Sequence, residues 1–148
     1  MDDVFNGGCY CGDVRFEVAN IFDAGYCHCS ICRRFGSGPV HAWANAPAES
    51  FRVTHGTPSC FASSDSWTRY FCPRCGCHLF GRPRQPPADR PELVSFGVFL
   101  LDTPLAIRPS VHIWWSSKVP YFETSDDLPR FPEGTLSHPS KRRSWRAV

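Results

Sequence analysis

Nine cysteines in a chain of 148 residues are the side chains best suited to chemistry in this sequence. An odd number of cysteines cannot pair completely within one chain, and disulfides rarely persist in a reducing cytosol. Closely spaced cysteines in an intracellular chain are typical of metal binding, whereas isolated ones usually fill an apolar core. Seven of the nine fall into three short motifs, which we interpret as metal ligands: Cys9 and Cys11; Cys27, Cys29 and Cys32; Cys72 and Cys75.

Two of these motifs have the form of zinc knuckles. The C-x-C pair is followed by Gly12 and the C-x-x-C pair by Gly76, and glycine is the residue that a tight turn tolerates best. Structural Zn²⁺ is held by four protein ligands in a tetrahedron, and thiolates are preferred ligands. We therefore predict that Cys9, Cys11, Cys72 and Cys75 form one closed site, which joins the N-terminal strand to the middle of the chain.

The C-x-C-x-x-C motif offers three cysteines, which is the number of protein ligands typical of catalytic zinc. An open fourth position lets water or a substrate thiol bind the metal, and the metal lowers the pKa of that bound water or thiol. Three thiolates also leave the ion less electron-rich than four. We predict a catalytic zinc at Cys27, Cys29 and Cys32. His28 is either a fourth ligand or an outward-pointing surface residue, and Cys77 is either a fourth ligand or a spare thiol beside the C-x-x-C pair.

Short β-prone runs separated by turn residues must position these motifs. The 14 prolines and 11 glycines leave little uninterrupted room for long helices. One short helix is predicted at Ser30–Phe35, ended by Gly36, and the Pro- and Arg-rich segment Arg82–Arg90 is predicted to be an exposed loop. Cys60 stands alone in a strand-like context and is expected in the core. Strands are predicted at Val14–Val18, Pro39–Ala46, Phe51–Thr54, Trp67–Phe71, Leu93–Leu101 (as a central strand) and Val111–Trp115.

The composition indicates one folded, cytoplasmic domain. A length of 148 residues corresponds to one domain, and 42% hydrophobic content excludes a disordered chain. No apolar run approaches the roughly 18 residues needed to cross a bilayer. The N-terminal sequence MDDVFNGG is acidic and has no apolar region of the kind that a secretory signal requires. The sequence is compatible with a homo-oligomer.

The net charge of +2 is a property of the C-terminal tail. The last eight residues contain no acid and four bases, Lys141, Arg142, Arg143 and Arg146, while acids exceed bases in the rest of the chain. A basic terminus of this kind is usually solvated rather than bound to nucleic acid. We therefore divide the chain into a zinc domain at residues 1–133 and a basic tail at residues 134–148, and we do not expect nucleic acid as a partner.

Four segments of the chain resemble, in order and spacing, the motifs of one known family. That family is the glutathione-dependent formaldehyde-activating enzyme family, also called the centromere protein V-like or GFA-domain family, and the resemblance covers about residues 7–133. The segments are Gly7–Phe16 with its G-G-C-x-C-G start, Cys27–Arg34 with C-H-C-x-x-C, Phe71–Phe80 with F-C-x-x-C-G, and Pro109–Pro129 with its H-I-W and S-K-V-P sequences.

The resemblance implies a mainly β, β-tent-like fold of small antiparallel sheets with zinc knuckles and one or two short helices. It implies two Zn²⁺ per chain, a structural one at Cys9, Cys11, Cys72 and Cys75 and a catalytic one at Cys27, Cys29 and Cys32. It also implies carbon–sulfur lyase chemistry, in which glutathione and formaldehyde form S-hydroxymethylglutathione or the adduct is cleaved. Glutathione carries two carboxylates that require cations, and Arg33 and Arg34, next to Cys32, are the candidates in the sequence.

Three other functions are compatible with the same residues. The chain resembles a GFA paralogue that acts on another small molecule as well as it resembles the glutathione enzyme. A zinc-stabilised binding module without turnover would use the basic tail or the Arg82–Arg90 loop to contact a partner. A metal-storage or redox protein would use Cys60 and Cys77. The three-cysteine motif favours an enzyme, since a scaffold does not need a metal with an open position.

Overall fold

The computed structural model describes residues 3–134, which form two β-sheets, one α-helix and four short 3₁₀ helices. The mainly β prediction is confirmed. The strands are β1 (Phe5–Gly8), β2 (Arg15–Val18), β3 (Asp23–Cys27), β4 (His41–Pro47), β5 (Phe51–His55), β6 (Ser59–Ala62), β7 (Trp67–Phe71), β8 (His78–Pro83), β9 (Leu93–Gly97) and β10 (His112–Ile113). The helix α1 is Ser30–Gly36, and the 3₁₀ helices are Ala48–Ser50, Val98–Leu100, Pro104–Ala106 and Trp115–Ser117.

The strands form a three-stranded sheet and a seven-stranded sheet. The first has the order β1-β2-β5, and the second has the order β10-β3-β4-β9-β8-β7-β6. Every pairing between these strands is antiparallel except that of β10 with β3, which is parallel and rests on only two residue pairs. The C-terminal part of the chain therefore returns to lie beside the strand that carries Cys27.

The hydrophobic core lies between the two sheets. Phe16 and Phe51 of the smaller sheet stack with their ring centroids 4.9 Å apart, and Phe51 contacts Phe80 of the larger sheet at 4.7 Å. Phe96 completes this aromatic cluster. Aromatic pairs at such distances contribute about 0.5–1.5 kcal/mol each beyond the area they bury. The cluster fixes one face of the seven-stranded sheet against the smaller sheet.

The opposite face of the seven-stranded sheet lines a cavity, because successive side chains of a strand point to opposite faces. In β4, Ala44 and Ala46 are fully buried in the core, while the alternate residues His41, Trp43 and Asn45 line the cavity. The same alternation in β7 directs Tyr70 onto Phe80 and leaves Trp67 and Arg69 at the cavity. Strand periodicity therefore determines which polar side chains meet there.

Two predicted strands are shorter than the sequence indicated. The apolar run predicted as one strand over Leu93–Leu101 leaves the sheet after Gly97 and continues as a 3₁₀ helix, closed by the amide of Leu101 donating to Val98 at 3.2 Å. An uninterrupted apolar run does not distinguish a strand from a buried turn of helix. The run over Val111–Trp115 is a strand only at His112–Ile113, because Trp114 adopts a left-handed conformation with φ of 55°.

The helix agrees with its prediction, the loop predicted at Arg82–Arg90 agrees except that Arg82 and Pro83 end β8, and the prediction for Cys60 is wrong. Helix α1 ends at Gly36 and is followed by Ser37 in the left-handed conformation. Beyond Pro83, the segment as far as Arg90 has no regular secondary structure and is mostly exposed. Cys60 is exposed on β6, the edge strand of the larger sheet, so the expectation that it fills the core is wrong. Residues 60–62 of this edge strand are all exposed, and a four-residue pattern does not reveal that a strand lies at the edge of its sheet.

The basic tail predicted at residues 134–148 lies, apart from Gly134, outside the described residues. Within the described part of the chain, no helix has the length and apolar character needed to cross a membrane.

Candidate active site

Four cysteines from two turns form the first candidate metal site. Cys9 and Cys11 lie in the turn between β1 and β2, and Cys72 and Cys75 lie in the turn between β7 and β8. Each turn is followed by a glycine with positive φ, 82° at Gly12 and 76° at Gly76, a conformation that side chains with a Cβ rarely adopt. Because one turn belongs to each sheet, this four-cysteine group joins the two sheets.

The spacing of these sulfur atoms fits a tetrahedral zinc. Sγ of Cys11 lies 3.6 Å from Sγ of Cys9 and 3.7 Å from Sγ of Cys72. A Zn–S bond of about 2.3 Å places tetrahedral ligands about 3.8 Å apart, so the sulfurs already have the separation that a shared ion requires. All four lie within 4.8 Å of one another. The group could therefore hold one metal ion.

The second group consists of Cys27, Cys29 and Cys32, whose sulfur atoms also lie within 4.8 Å of one another. Cys27 ends β3, Cys29 is the N-cap of α1, and Cys32 lies in its first turn. The amide of Cys32 donates to Sγ of Cys29 at 3.2 Å. The strand end and the helix start thus gather three sulfurs within six residues of chain, without a contribution from elsewhere in the described residues.

The pKa of the Cys29 thiol is lowered, and this helps to prepare the group for a cation. Hydrogen bonds from the thiols of Cys27 and Cys32 are the largest cause, and the amides of Cys32 and Ile31 add to it. The same contact raises the pKa of Cys27. The first negative charge of the group therefore resides on Cys29, where the free amides of a helix start stabilise a thiolate.

A cavity of about 1000 Å³ adjoins this three-cysteine group, and all three cysteines line it. This volume is at the upper end of the range of small-molecule sites. Its other walls include the indole rings of Trp43, Trp67 and Trp114 and the polar side chains His41, Asn45, Arg69 and His78. The four-cysteine group does not line it. Of the two candidate metal sites, the three-cysteine group is thus the one beside a cavity of the size of a small molecule.

Arg69 is the cation next to the three cysteines. Its Nη2 lies 4.0 Å from Sγ of Cys32, and its guanidinium carbon lies 4.4 Å from the centre of the Phe35 ring. His41 and His78 face the same region, with their ring centroids 6.0 Å apart. Burial, followed by the charge of Arg69, lowers the pKa of both imidazoles, to about 4 at His78. Both rings are therefore neutral at pH 7.

His28 is buried behind the three-cysteine group and belongs to a chain of hydrogen bonds. Its Nε2 lies 2.8 Å from Nδ1 of His112, and Nε2 of His112 lies 3.0 Å from both carboxylate oxygens of Asp126. Trp115 packs edge-on against both imidazoles at 5.0 Å. His28 is 0% exposed and is not part of the metal-ligand group. It is therefore neither the surface residue nor the fourth ligand that the sequence allowed.

The remaining predicted residues lie around the site without lining the cavity. Cys77 is half-buried against the core, beside the four-cysteine group but not within it. Nε of Arg33 donates to the carbonyl oxygen of His28 at 3.2 Å, and Arg34 is exposed on α1. Neither arginine lines the cavity, and their contact with a substrate stays a prediction.

Sequence reasoning missed Arg69, His78 and the pair His112 and Asp126. A usable signal was the alternation of side chains along β7. It places Tyr70 on the core face of the strand and Arg69 on the opposite face, towards the cavity. The other three residues lie in segments that carry the family resemblance, but no spacing indicated their role, and His112 reaches His28 only through the parallel pairing of β10 with β3.

A mainly β domain with two groups of cysteines that could each hold a metal ion, one between the sheets and one beside a cavity, is the kind of domain that the sequence predicted. The family model of the glutathione-dependent formaldehyde-activating enzymes matches residues 4–117, and the chain belongs to that family. It is also similar to a Rhodobacter sphaeroides protein of known crystal structure, with 27% sequence identity and a TM-score of 0.54. That match covers 70% of this chain and 91% of the Rhodobacter protein. Family membership supports a function of the formaldehyde-activating type at the level of the family.

Proposed function

We propose that the protein is a zinc-dependent carbon–sulfur lyase-type enzyme that joins a small thiol such as glutathione to formaldehyde and reverses the addition. The observation that carries this proposal is the position of Cys27, Cys29 and Cys32 in the wall of a cavity of about 1000 Å³. A group of three thiol ligands accessible to a small molecule is what a catalytic zinc requires. A purely structural zinc module has no use for such a cavity.

The proposed reaction forms one C–S bond. The thiol loses its proton, the sulfur attacks the carbonyl carbon of formaldehyde, and the electron pair of the C=O bond moves to the oxygen, which takes up a proton to give the hydroxymethyl thioether. A zinc ion bound to the three thiolates would stabilise anionic sulfur or the developing alkoxide. The reverse reaction breaks the same bond and returns the thiol and the aldehyde.

The residues of the chain would bind and orient the two reactants. Trp43 is 5% exposed and packs with Cys27, so it provides an apolar wall that limits water beside the sulfur atoms. His41 is the register partner of Cys27 across β3 and β4 and offers a ring nitrogen to the hydroxyl group that forms. Arg69 contributes positive charge beside Cys32. Positioning of this kind reduces the entropy lost when two molecules react.

The proposal includes two zinc ions per chain, glutathione as the thiol and a cytoplasmic location. The two cysteine groups support the number of zinc ions, because each has a donor set and spacing suited to one ion. The family supports glutathione and an aldehyde as substrates. A cytoplasmic location agrees with nine cysteines in a chain without disulfides among its described residues, since thiols stay reduced in that compartment.

NMR exchange spectroscopy of glutathione and formaldehyde, with and without the zinc-loaded protein, tests the activity. The uncatalysed addition is already rapid, so the exchange rate at equilibrium is informative and an end-point assay is not. We expect faster exchange between free glutathione and its hydroxymethyl adduct in proportion to the concentration of protein. An unchanged exchange rate would refute the proposed activity and leave the zinc fold intact.

Two variants link the exchange rate to the three-cysteine group. Cys29→Ser removes one of its ligands and should abolish the acceleration. Cys60→Ser removes an exposed thiol that belongs to neither group and should retain the acceleration. Equal rates in the two variants would exclude the three-cysteine group as the site of the reaction.

A further inference from the structure

Arg69 has unused hydrogen-bonding capacity in the wall of the cavity. Its Nε is buried and has no hydrogen-bond partner, and Nε2 of His78, which lines the same cavity, is in the same situation. Buried donors without a partner cost free energy and are uncommon in folded proteins. Both residues line the cavity, and the donors of Arg69 other than Nε are the ones that a ligand in the cavity would meet.

The charge of Arg69 also lacks a carboxylate. No acidic residue within positions 3–134 forms an ion pair with it, although Arg15, Arg52, Arg74 and Arg130 all have one. The sulfur of Cys32 lies 4.0 Å from its Nη2. A guanidinium has five N–H donors in a planar fork, so one long contact to sulfur leaves most of them available.

Packing holds this guanidinium in a defined place. The ring of Phe35 lies against it at 4.4 Å, and stacking on an aromatic face orients an arginine without occupying its donor edge. In the pairing of β7 with β8, Arg69 lies opposite Gly81. Because Gly81 has no side chain, the indole of Trp67 packs directly against it. His78, with its pKa lowered by burial and by Arg69, adds no competing positive charge. Arg69 is thus an oriented cation beside the three cysteines.

We propose that Arg69 binds a carboxylate of the substrate thiol and thereby selects thiols that carry a carboxylate over neutral thiols. A planar guanidinium matches a carboxylate in two parallel hydrogen bonds, which give both affinity and orientation. Because Arg69 also approaches Cys32, a thiol held by its carboxylate presents its sulfur to the three-cysteine group. This inference rests on the proposed function and identifies the class of thiol that the site accepts.

The test compares two thiols that differ only in charge, 3-mercaptopropionate and 3-mercaptopropanamide, as ligands of the zinc-loaded full-length protein. Binding is followed by tryptophan fluorescence, since three tryptophans line the cavity, and by calorimetry. No formaldehyde is present, so the outcome is separate from the exchange assay. We expect the carboxylate to bind about tenfold more tightly or better than the amide, as a charge-assisted hydrogen-bond pair implies.

Substitutions at Arg69 decide whether this side chain causes the preference. Arg69→Gln should bind the two thiols equally, and Arg69→Lys should retain part of the preference, because an ammonium keeps the charge but loses the paired geometry. Arg52→Gln, at an exposed strand arginine of the other sheet, should behave like the wild type. Zinc content and circular dichroism are measured for each protein.

Several results would overturn the proposal. One is an equal affinity of the wild type for the two thiols, and another is a preference that survives in Arg69→Gln. A third is an equal loss of affinity for both thiols in Arg69→Gln, which would mean that Arg69 only stabilises the cysteine thiolates. If Arg69→Gln fails to fold or to retain zinc, the wild type and Arg69→Lys still decide the question. If the preference is found but formaldehyde exchange is not accelerated, the carboxylate site stands and the proposed reaction fails.

Discussion

Cys29 has two functions in one side chain. It caps the N-terminus of α1 through the amide of Cys32, and its sulfur belongs to the three-cysteine group. Cys72 has a different environment, since it is fully buried in the core at the junction of the two sheets. The same residue type therefore serves a local turn at one position and a connection between sheets at the other. Substitution by serine separates these two contributions.

We expect Cys29→Ser to fold and to lose one zinc, and Cys72→Ser to lose stability as well. Serine is a preferred N-cap residue, so α1 keeps its capping hydrogen bond in the first variant. In the second variant a ligand of the structural site is lost, and the binding free energy of such a site contributes directly to folding. Thermal unfolding and zinc analysis of the two purified variants measure the difference, which should be a fall in Tm of at least about 10 °C for Cys72→Ser and much less for Cys29→Ser.

Cys60→Ser is the matched control for both substitutions, because Cys60 is exposed and belongs to neither group. It should keep both zinc ions and the wild-type Tm. The division of the cysteines into a structural and a reactive group would be wrong if Cys29→Ser and Cys72→Ser lost zinc and stability to the same extent.

His78 is one of three histidines whose lowered pKa should make the stability of the fold depend on pH. Burial lowers its pKa from 6.5 to about 4, so between these values the unfolded chain binds a proton that the folded protein does not. The free energy of unfolding should therefore decrease as the pH falls from about 6.5 to 4, by at most about 1.4 kcal/mol per pH unit for this one group. Urea unfolding at a series of pH values measures the slope, and His78→Gln should reduce it.

An exposed histidine provides the control for this pH dependence. His55 lies on β5 at the surface, and His55→Gln should leave the slope unchanged. Zinc loss at low pH affects all three proteins alike, and a chromogenic chelator reports it in parallel. If the wild type and His78→Gln show the same slope, His78 is not the group responsible.

At the scale of the elements, the C-terminal part of the chain supports the three-cysteine group from behind. β10 pairs with β3, the amide of His28 donates to the carbonyl of Ile113 at 3.1 Å, and His112 connects His28 to Asp126. Asp126 in turn accepts a hydrogen bond from the amide of Leu128 at 3.1 Å. The turn between Cys27 and Cys29 is thus fixed by a segment about 85 residues later in the sequence.

Removal of the Asp126 carboxylate should weaken this support. Asp126→Ala leaves Nε2 of the buried His112 without its acceptor, and an unsatisfied buried donor costs about 1–3 kcal/mol. We expect a loss of stability of that size and faster transfer of zinc from the three-cysteine group to a chelator. Denaturant unfolding and stopped-flow zinc release measure the two effects.

Asp127→Ala is the control for this prediction, because Asp127 is the next residue and is exposed. It should have little effect on either quantity. An Asp126→Ala protein with wild-type stability and wild-type zinc release would show that the hydrogen-bond chain does not support the site.

The sequence was most informative where the structure depends on neighbouring residues. The three-cysteine group, its helix and the knuckle turns are set by spacings of two or three residues, and they were predicted correctly. The surroundings of His28 depend on the pairing of two distant strands, β10 with β3. Arg69 comes close to Cys32 only because the larger sheet has the order β3-β4-β9-β8-β7. A run such as Leu93–Leu101 is apolar on both sides of Gly97, so composition alone did not reveal where the strand ends. Local spacing therefore identified the two cysteine groups, and tertiary pairing determined what surrounds them.

At the scale of the whole molecule, the four-cysteine group is a connection between the two sheets. Cys9 and Cys11 come from the smaller sheet and Cys72 and Cys75 from the larger one. An ion pair between Arg74 and Asp13, with a distance of 3.0 Å, spans the same junction. An exposed ion pair contributes little by itself, so an ion held by four thiolates would provide most of the stabilisation there. The three-cysteine group joins only β3 to α1 and makes no such connection.

Chelation of zinc should therefore occur in two steps with different structural consequences. With increasing chelator, the ion at the three-cysteine group should leave first, because it has three protein ligands and adjoins the cavity. Near-ultraviolet circular dichroism should be retained after this step. Loss of the second ion should coincide with unfolding, since metal binding at the junction of the sheets is coupled to folding. A single step in which both ions leave as the protein unfolds would contradict this order, and Cys29→Ser, which lacks the first ion, should show only the second step.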